Sequence, residues 1–189
     1  MRSRALVVRP RIAAVALAVA ALLATRLGRA EPQWSAGALA SGCLLGGADD
    51  PFQRVAFCGA LRGDLLLGRE RTADFGFGPY VSLGTAAFDD LRLAVGGSAL
   101  APVLEDFPLV ISLGALVRDG SAFGADANLF WGIRSYNFHA TWNFAAGLVL
   151  GAQRTFGNSA ENVVSLGLQI DGLVFALPVL LLAGAAGGN

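Results

Sequence analysis

Eight stretches of this 189-residue chain alternate, residue by residue, between apolar side chains and polar residues or glycine. In the segment from Phe123 to Tyr136 the odd positions are Phe123, Ala125, Ala127, Leu129, Trp131 and Ile133. The even positions are Gly124, Asp126, Asn128, Phe130, Gly132, Arg134 and Tyr136. A period of two puts these sets on opposite faces of a strand. A sheet with one oily face and one polar or small-residue face fits a closed barrel in lipid, oily side out. A soluble sheet would carry Lys, Glu and Thr on its polar face, whereas this one carries Gly, Ser and Asn. Small residues suit a crowded barrel interior.

The alternation marks strands at Gln33–Leu45, Val55–Leu67, Phe75–Ala87, Leu91–Leu100, Pro108–Val117, Phe123–Arg134, Ala140–Gln153 and Asn162–Phe175. It is weakest in the first. Each is about the length needed to cross a bilayer at a tilt. Between them lie short segments, several rich in Gly, Pro, Asp or Asn, the residues of turns. The expected fold is all-β: an eight-stranded antiparallel up-and-down transmembrane barrel.

Residues 1–30 are set apart from that fold. Arg2, Arg4, Arg9 and Arg11 precede a short apolar run, Ile12 to Thr25, and Gly28-Arg29-Ala30 places small residues at a cleavage site. This is the pattern of a secretory signal cut between Ala30 and Glu31, with an uncleaved anchor as the alternative. The barrel then occupies residues 31–177 and an apolar tail residues 178–189. The chain has no Lys. After Ala30, eight Arg face fourteen acids, a formal charge of −6. That balance excludes a basic nucleic-acid-binding face. No run of 18 or more apolar residues occurs, so a bundle of membrane helices is excluded too.

With the amino terminus of the barrel in the periplasm, the aromatic residues sort into two bands. Trp34, Phe75, Phe77, Trp131 and Trp142 fall near the periplasmic ends of their strands, and Phe57 and Phe123 at the opposite ends. All seven have outward parity, as interfacial girdles require.

On these features the chain resembles the small eight-stranded outer-membrane barrels of the OmpA/OmpX type. The segment Ser165-Leu166-Gly167-Leu168-Gln169-Ile170-Asp171 is similar to their carboxyl-terminal insertion signal. Gly172 departs from it where a hydrophobic residue is usual, and the chain runs on past Pro178 to Asn189. The resemblance implies a Gram-negative outer membrane, with its lipids and lipopolysaccharide as surroundings.

Cys43 and Cys58 are the only cysteines. A first hairpin turning about Asp50-Pro51 pairs residue i with 101 − i and sets the two face to face, both inward. A secreted chain permits a disulfide there, with two buried thiols as the alternative. Arg62, Asp64, Arg92, Asp126, Arg134 and Asp171 also have inward parity. They provide both signs for an interior salt-bridge network, since a buried charge needs a partner. A polar conduit is the other use of such a set. His139 opens His-Ala-Thr-Trp-Asn, faintly similar to the His-x-Ser motif of outer-membrane lipid A deacylases, with Thr141 in the place of Ser. Asp49, Asp50, Asp89, Asp90 and Asp119 fall in the expected outer loops, where they are solvated charge or hold divalent cations that bridge lipopolysaccharide.

No phosphate-binding glycine motif, metal-spaced cluster or nucleophile–base pair stands out. A non-enzymatic envelope barrel without cofactor or metal is therefore expected, structural or presenting short loops to a partner. The alternatives are a small-solute channel, a membrane-embedded lipid-modifying enzyme, and a soluble lipocalin-like barrel with its two faces exchanged.

Overall fold

The alternation becomes strand pairing in a computed structural model, which describes residues 32–47, 50, 52–104, 107–134, 144–157 and 160–172. The expected leader (1–30), the tail (178–189), His139 and Trp142 lie outside the described residues. Eight strands follow in order: β1 (Gln33–Gly46), β2 (Arg54–Leu66), β3 (Gly76–Ala86), β4 (Arg92–Ala101), β5 (Leu109–Arg118), β6 (Ala122–Arg134), β7 (Ala145–Thr155) and β8 (Asn162–Asp171). Each pairs antiparallel with its neighbours in sequence, and β8 pairs with β1, so the sheet closes.

One row of paired residues shows how the barrel is staggered. It runs inward-facing through Ser35, Asp64, Tyr80, Gly96, Gly114, Asp126, Gln153 and Val163, and returns to β1 at Leu45, ten residues further along. Such a stagger requires the strands to tilt against the barrel axis. Two ends result. The terminal end holds the start of β1, the end of β8 and the connections 67–75, 102–108 and 135–144. The far end holds the connections 47–53, 87–91, 119–121 and 156–161.

The faces run as the alternation requires. Among the outward positions of the eight strands only Thr85, Arg154 and Asn162 are polar, and all three lie toward the far end. Large apolar side chains such as Leu61, Val81, Leu93, Ile111, Leu113, Leu150 and Leu166 stand exposed around the belt. The inward side chains form three buried apolar clusters separated by polar groups. Leu66, Leu100, Val110, Phe130, Ala145 and Val149 make the largest. Cys43, Leu45, Ala86 and Val163 make another beside the far end, and Tyr80, Ala94 and Leu116 the third.

Two expectations need correction. The first hairpin pairs residue i with 99 − i, so Cys43 lies opposite Ala56 and Cys58 opposite Ser41. A slip of one residue would turn every side chain to the wrong face, but a slip of two preserves the faces, so alternation alone cannot exclude it. The last strand stops at Asp171 rather than Phe175, and Gly172 is already helical. Glycine is a weak strand former and adds no packing at that position.

The far-end turns are tight. Asp119 (φ 51°) and Gly120 (φ 69°) take left-handed backbone, and Ser121 N–H donates to the Arg118 carbonyl at 3.1 Å, the arrangement that matches strand twist. Ala87 (φ 56°) and Phe88 (φ 61°) do the same without a glycine. That conformation costs each of them on the order of 1 kcal/mol. Two contacts offset it: Phe88 stacks on Phe57 with ring centres 5.6 Å apart, and Asp90 accepts the Ala86 N–H at 2.9 Å.

Candidate functional site: the filled barrel interior and its mouth

The disulfide between Cys43 and Cys58 is present despite the corrected register. The two residues are diagonal rather than opposed, with Cα atoms 5.9 Å apart. That lies inside the range a disulfide can span. The bond ties β1 to β2 inside the barrel, near the far end.

The six inward charges do not form one cluster. Arg62, Asp64 and Arg134 come together toward the terminal end. Arg134 pairs with Asp64 and donates to Ser35 Oγ at 2.9 Å, and Arg62 Nε stands 3.5 Å from Asp64. Arg62 also reaches across the barrel, donating to Ser112 Oγ at 2.6 Å and Ser98 Oγ at 3.0 Å. Its guanidinium carbon lies 4.3 Å from the centre of the Tyr80 ring, a buried cation–π contact.

Asp126 has no cation against it among the described residues. Three neutral donors meet its carboxylate instead. Tyr80 Oη donates at 2.6 Å, Asn128 Nδ2 at 2.6 Å and Gln153 Nε2 at 2.9 Å. With it the six inward charges of the strands stand at three of each sign. Buried charges persist only when compensated in this way. Gln153 also accepts from Arg92 at 3.2 Å, which links Asp126 to the far mouth.

At that mouth Arg92 pairs with Asp90 at 2.6 Å and with Glu161, and Arg118 donates to the same Glu161 oxygen at 2.7 Å. Burial pushes the Asp90 carboxyl up, but hydrogen bonds from Arg92 and the Ala86 N–H, together with the Arg92 and Arg118 charges, outweigh it and hold Asp90 below its usual range. Outside the cluster, Arg54 and Asp89 make an exposed pair at 3.2 Å. Such a surface pair contributes little.

Asp171 is buried at the terminal end, paired across the sheet with Gly37, whose partner on β2 is Arg62. Nearby, the connection 67–75 folds Arg69 inward until it is 1% exposed, with Nη1 donating to Gln33 at 3.3 Å and Nη2 to the Thr72 carbonyl at 3.2 Å. Between the Arg62 group and the far mouth a cavity of about 50 Å³ remains, lined by Asp126, Asn128, Gln153, Gln169, Ser82 and Ser165 among others. A polar space of that size has room for a few waters. Arg62, with its Ser98 and Ser112 contacts, and Val149 of the largest apolar cluster border it on one side, and Arg92, paired with Glu161, on the other.

Of the expected aromatic bands, Trp34, Phe75 and Trp131 are exposed at the terminal end, Phe77 is half-buried there, and Phe57 and Phe123 are exposed at the far end. Phe107 joins the first band, its ring centre 6.5 Å from that of Trp131. Phe52, Phe88 and Phe156 are exposed at the far end. These four lie in connections, where parity says nothing. Tyr80, Asp90 and Glu161 were likewise missed as partners of the interior charges, as was the inward turn of Arg69. Tyr80 follows a proline in a strand read for its outward face, and the other three lie in turns. Among the described residues no group of three His, Cys, Asp or Glu could hold a metal ion, and no helix is long and apolar enough to cross a membrane.

A scan of protein families gives no match, and neither does a search of curated proteins. Among solved structures, one reported under the de novo design of transmembrane β-barrels is similar at 14% identity and a TM-score of 0.44, covering 75% of this chain and 98% of the other. A second designed barrel, solved by solution NMR, gives 15% identity and a TM-score of 0.42, covering 76% and 97%. An S-type phycobiliprotein lyase from Guillardia theta gives 8% identity and a TM-score of 0.33, covering 81% and 92%. All three TM-scores lie below 0.5, a level at which nothing of those proteins' properties transfers to this chain.

Proposed function

We propose that this chain is an exported outer-membrane β-barrel of a Gram-negative envelope. Its role is structural, or the presentation of short loops to a partner, rather than enzymatic. One observation carries the reading: every outward strand position is apolar or small except Thr85, Arg154 and Asn162, all toward one end. Soluble monomers rarely expose contiguous apolar patches beyond a few hundred Å². A belt of this kind around a closed sheet is solvated by lipid. A soluble lipocalin-like barrel needs the opposite arrangement, and here Arg62, Asp64, Asp126 and Arg134 are the buried residues.

The interior supports a plugged barrel over a channel. Its charges are engaged with one another or with neutral hydrogen-bond donors, and the space between them is water-sized. In this reading the terminal end faces the periplasm, and the far-end turns carrying Asp50, Asp89 and Asp119 face lipopolysaccharide or a partner outside.

Gel migration of protein from fractionated cells, boiled and unboiled, tests the proposal. A faster unboiled band, found in the outer-membrane fraction, is expected. A soluble protein with no such shift overturns the membrane reading. Ion conductance across a planar bilayer tests the plug: steady pore-sized currents would restore the channel alternative.

A further inference from the structure

The outer wall is not uniformly bulky. On β1 every outward position from Ala36 to Gly42 is Ala or Gly, and the adjacent outward positions of β2 include Gly59 and Gly63. Ala36, Ala38 and Gly63 lie beside Leu61, Val81 and Leu83, and together they shape an almost wholly apolar hollow of about 620 Å³. The hollow sits by the seam between β1 and β8, the first and last strands, where the barrel closes.

Gly172 lines this hollow. It follows directly on β8 opposite the start of β1, where an added Cβ would stand 3.2 Å from the Ala36 carbonyl oxygen. It has also left the strand conformation for a helical one. Seventeen residues follow it, none with a charged side chain. They include Leu173, Val174, Phe175 and Leu177, then Val179 to Leu182 beyond Pro178.

We infer that this apolar tail folds back over the outer wall and occupies the Ala36–Ala38–Gly63 hollow, a latch across the closing seam. Four observations converge on it. The tail starts at the edge of the hollow. The hollow is apolar and the tail carries no charge to bury. The residues at its floor are small, which lets another segment approach closely. A segment against lipid must satisfy its own backbone, as a helix does, and Gly172 is already helical. The inference goes beyond the envelope reading and does not depend on which membrane surrounds the barrel.

The experiment places a photoreactive benzophenone side chain at Leu181 of the full-length barrel, refolded into phosphatidylcholine vesicles. Differently tagged copies are mixed before illumination, and the adducts are mapped by mass spectrometry. The expected adducts fall within one copy, on peptides containing Ala36, Ala38 or Gly63, with none on Leu113 of the distant β5. Adducts confined to lipid, to a second copy or to the barrel mouth overturn the inference. Ala38→Phe fills the hollow, and should lower the β1 and β2 adducts severalfold while heat-modifiable migration persists. An unchanged adduct yield in that variant also overturns it. Should Ala38→Phe fail to fold, the Leu181 map decides by itself.

Discussion

Tyr80 reaches across two strands to donate a 2.6 Å hydrogen bond to Asp126, and on the row it crosses those strands carry Gly96 and Gly114. The glycines are the bed of the phenol: a Cβ built on Gly114 would stand 2.5 Å from Tyr80 Oη. The bond meets a carboxylate that has no cation against it among the described residues. Removing it by Tyr80→Phe should cost about 1.5–3 kcal/mol, the range for hydrogen bonds to charged groups. Urea unfolding of the reconstituted barrel measures the loss. In an Asp126→Asn background the same change should cost less, because the charge that strengthens the bond is gone. Equal costs in both backgrounds would detach Tyr80 from Asp126.

Asp64 is shared by Arg62 and Arg134, all three buried. Asp64→Ala removes the carboxylate that both guanidinium groups face. The expected loss is about 3–5 kcal/mol, the size seen when one partner of a buried pair is removed. Ser112→Ala, which deletes only a neutral acceptor of Arg62, should cost about 1–3 kcal/mol. A ranking in the other order would mean that the triad is hydrated rather than dry.

How much of this was legible beforehand follows from what a period of two encodes. It assigns faces, and the faces are right along the described residues of the eight strands. It leaves the register open to slips of two, which is why Cys43 and Cys58 were set opposite each other and are diagonal instead. Parity also marks which charges point inward without saying which of them meet. Arg92 meets Asp90 and Glu161, both in turns, and Asp126 meets Tyr80 two strands beyond its neighbour. Turns lie outside the alternation, so Arg69, Phe88 and Phe107 carried no signal at all. Contacts across a barrel depend on its stagger, a property of the closed sheet that no single strand carries.

The far mouth should be acid-sensitive, and Asp90 gives the sign. Its folded-state carboxyl titrates below the usual range because Arg92, the Ala86 N–H and Arg118 outweigh its burial. A depressed value means that Asp90 stabilises the fold in full above its unfolded value, about pH 4, and loses that contribution as the pH falls further. Stability measured from pH 7 to pH 3 should therefore drop in the native chain by more than in Asp90→Asn. The two curves should converge toward the acid end. Parallel curves would show that the Arg92–Asp90 pair contributes nothing.

The outer belt gives the sharpest contrast between lipid and water. Leu113 is an outward residue midway along β5, 63% exposed, with Ala127 and Gly97 as its paired neighbours. On a soluble barrel an exposed Leu→Arg substitution changes stability by about 0.5 kcal/mol or less. On a lipid-facing wall the same Arg must stand near the bilayer midplane, at a cost of about 2–4 kcal/mol. Leu113→Arg should therefore shift the unfolding midpoint strongly in vesicles and hardly at all if the belt is wet. Thr85→Arg, outward but toward the far rim, is the control, since the cost falls to about 0–1 kcal/mol near the interface. A similar cost at both positions would remove the depth dependence that a bilayer imposes. The apolar belt would then need another explanation.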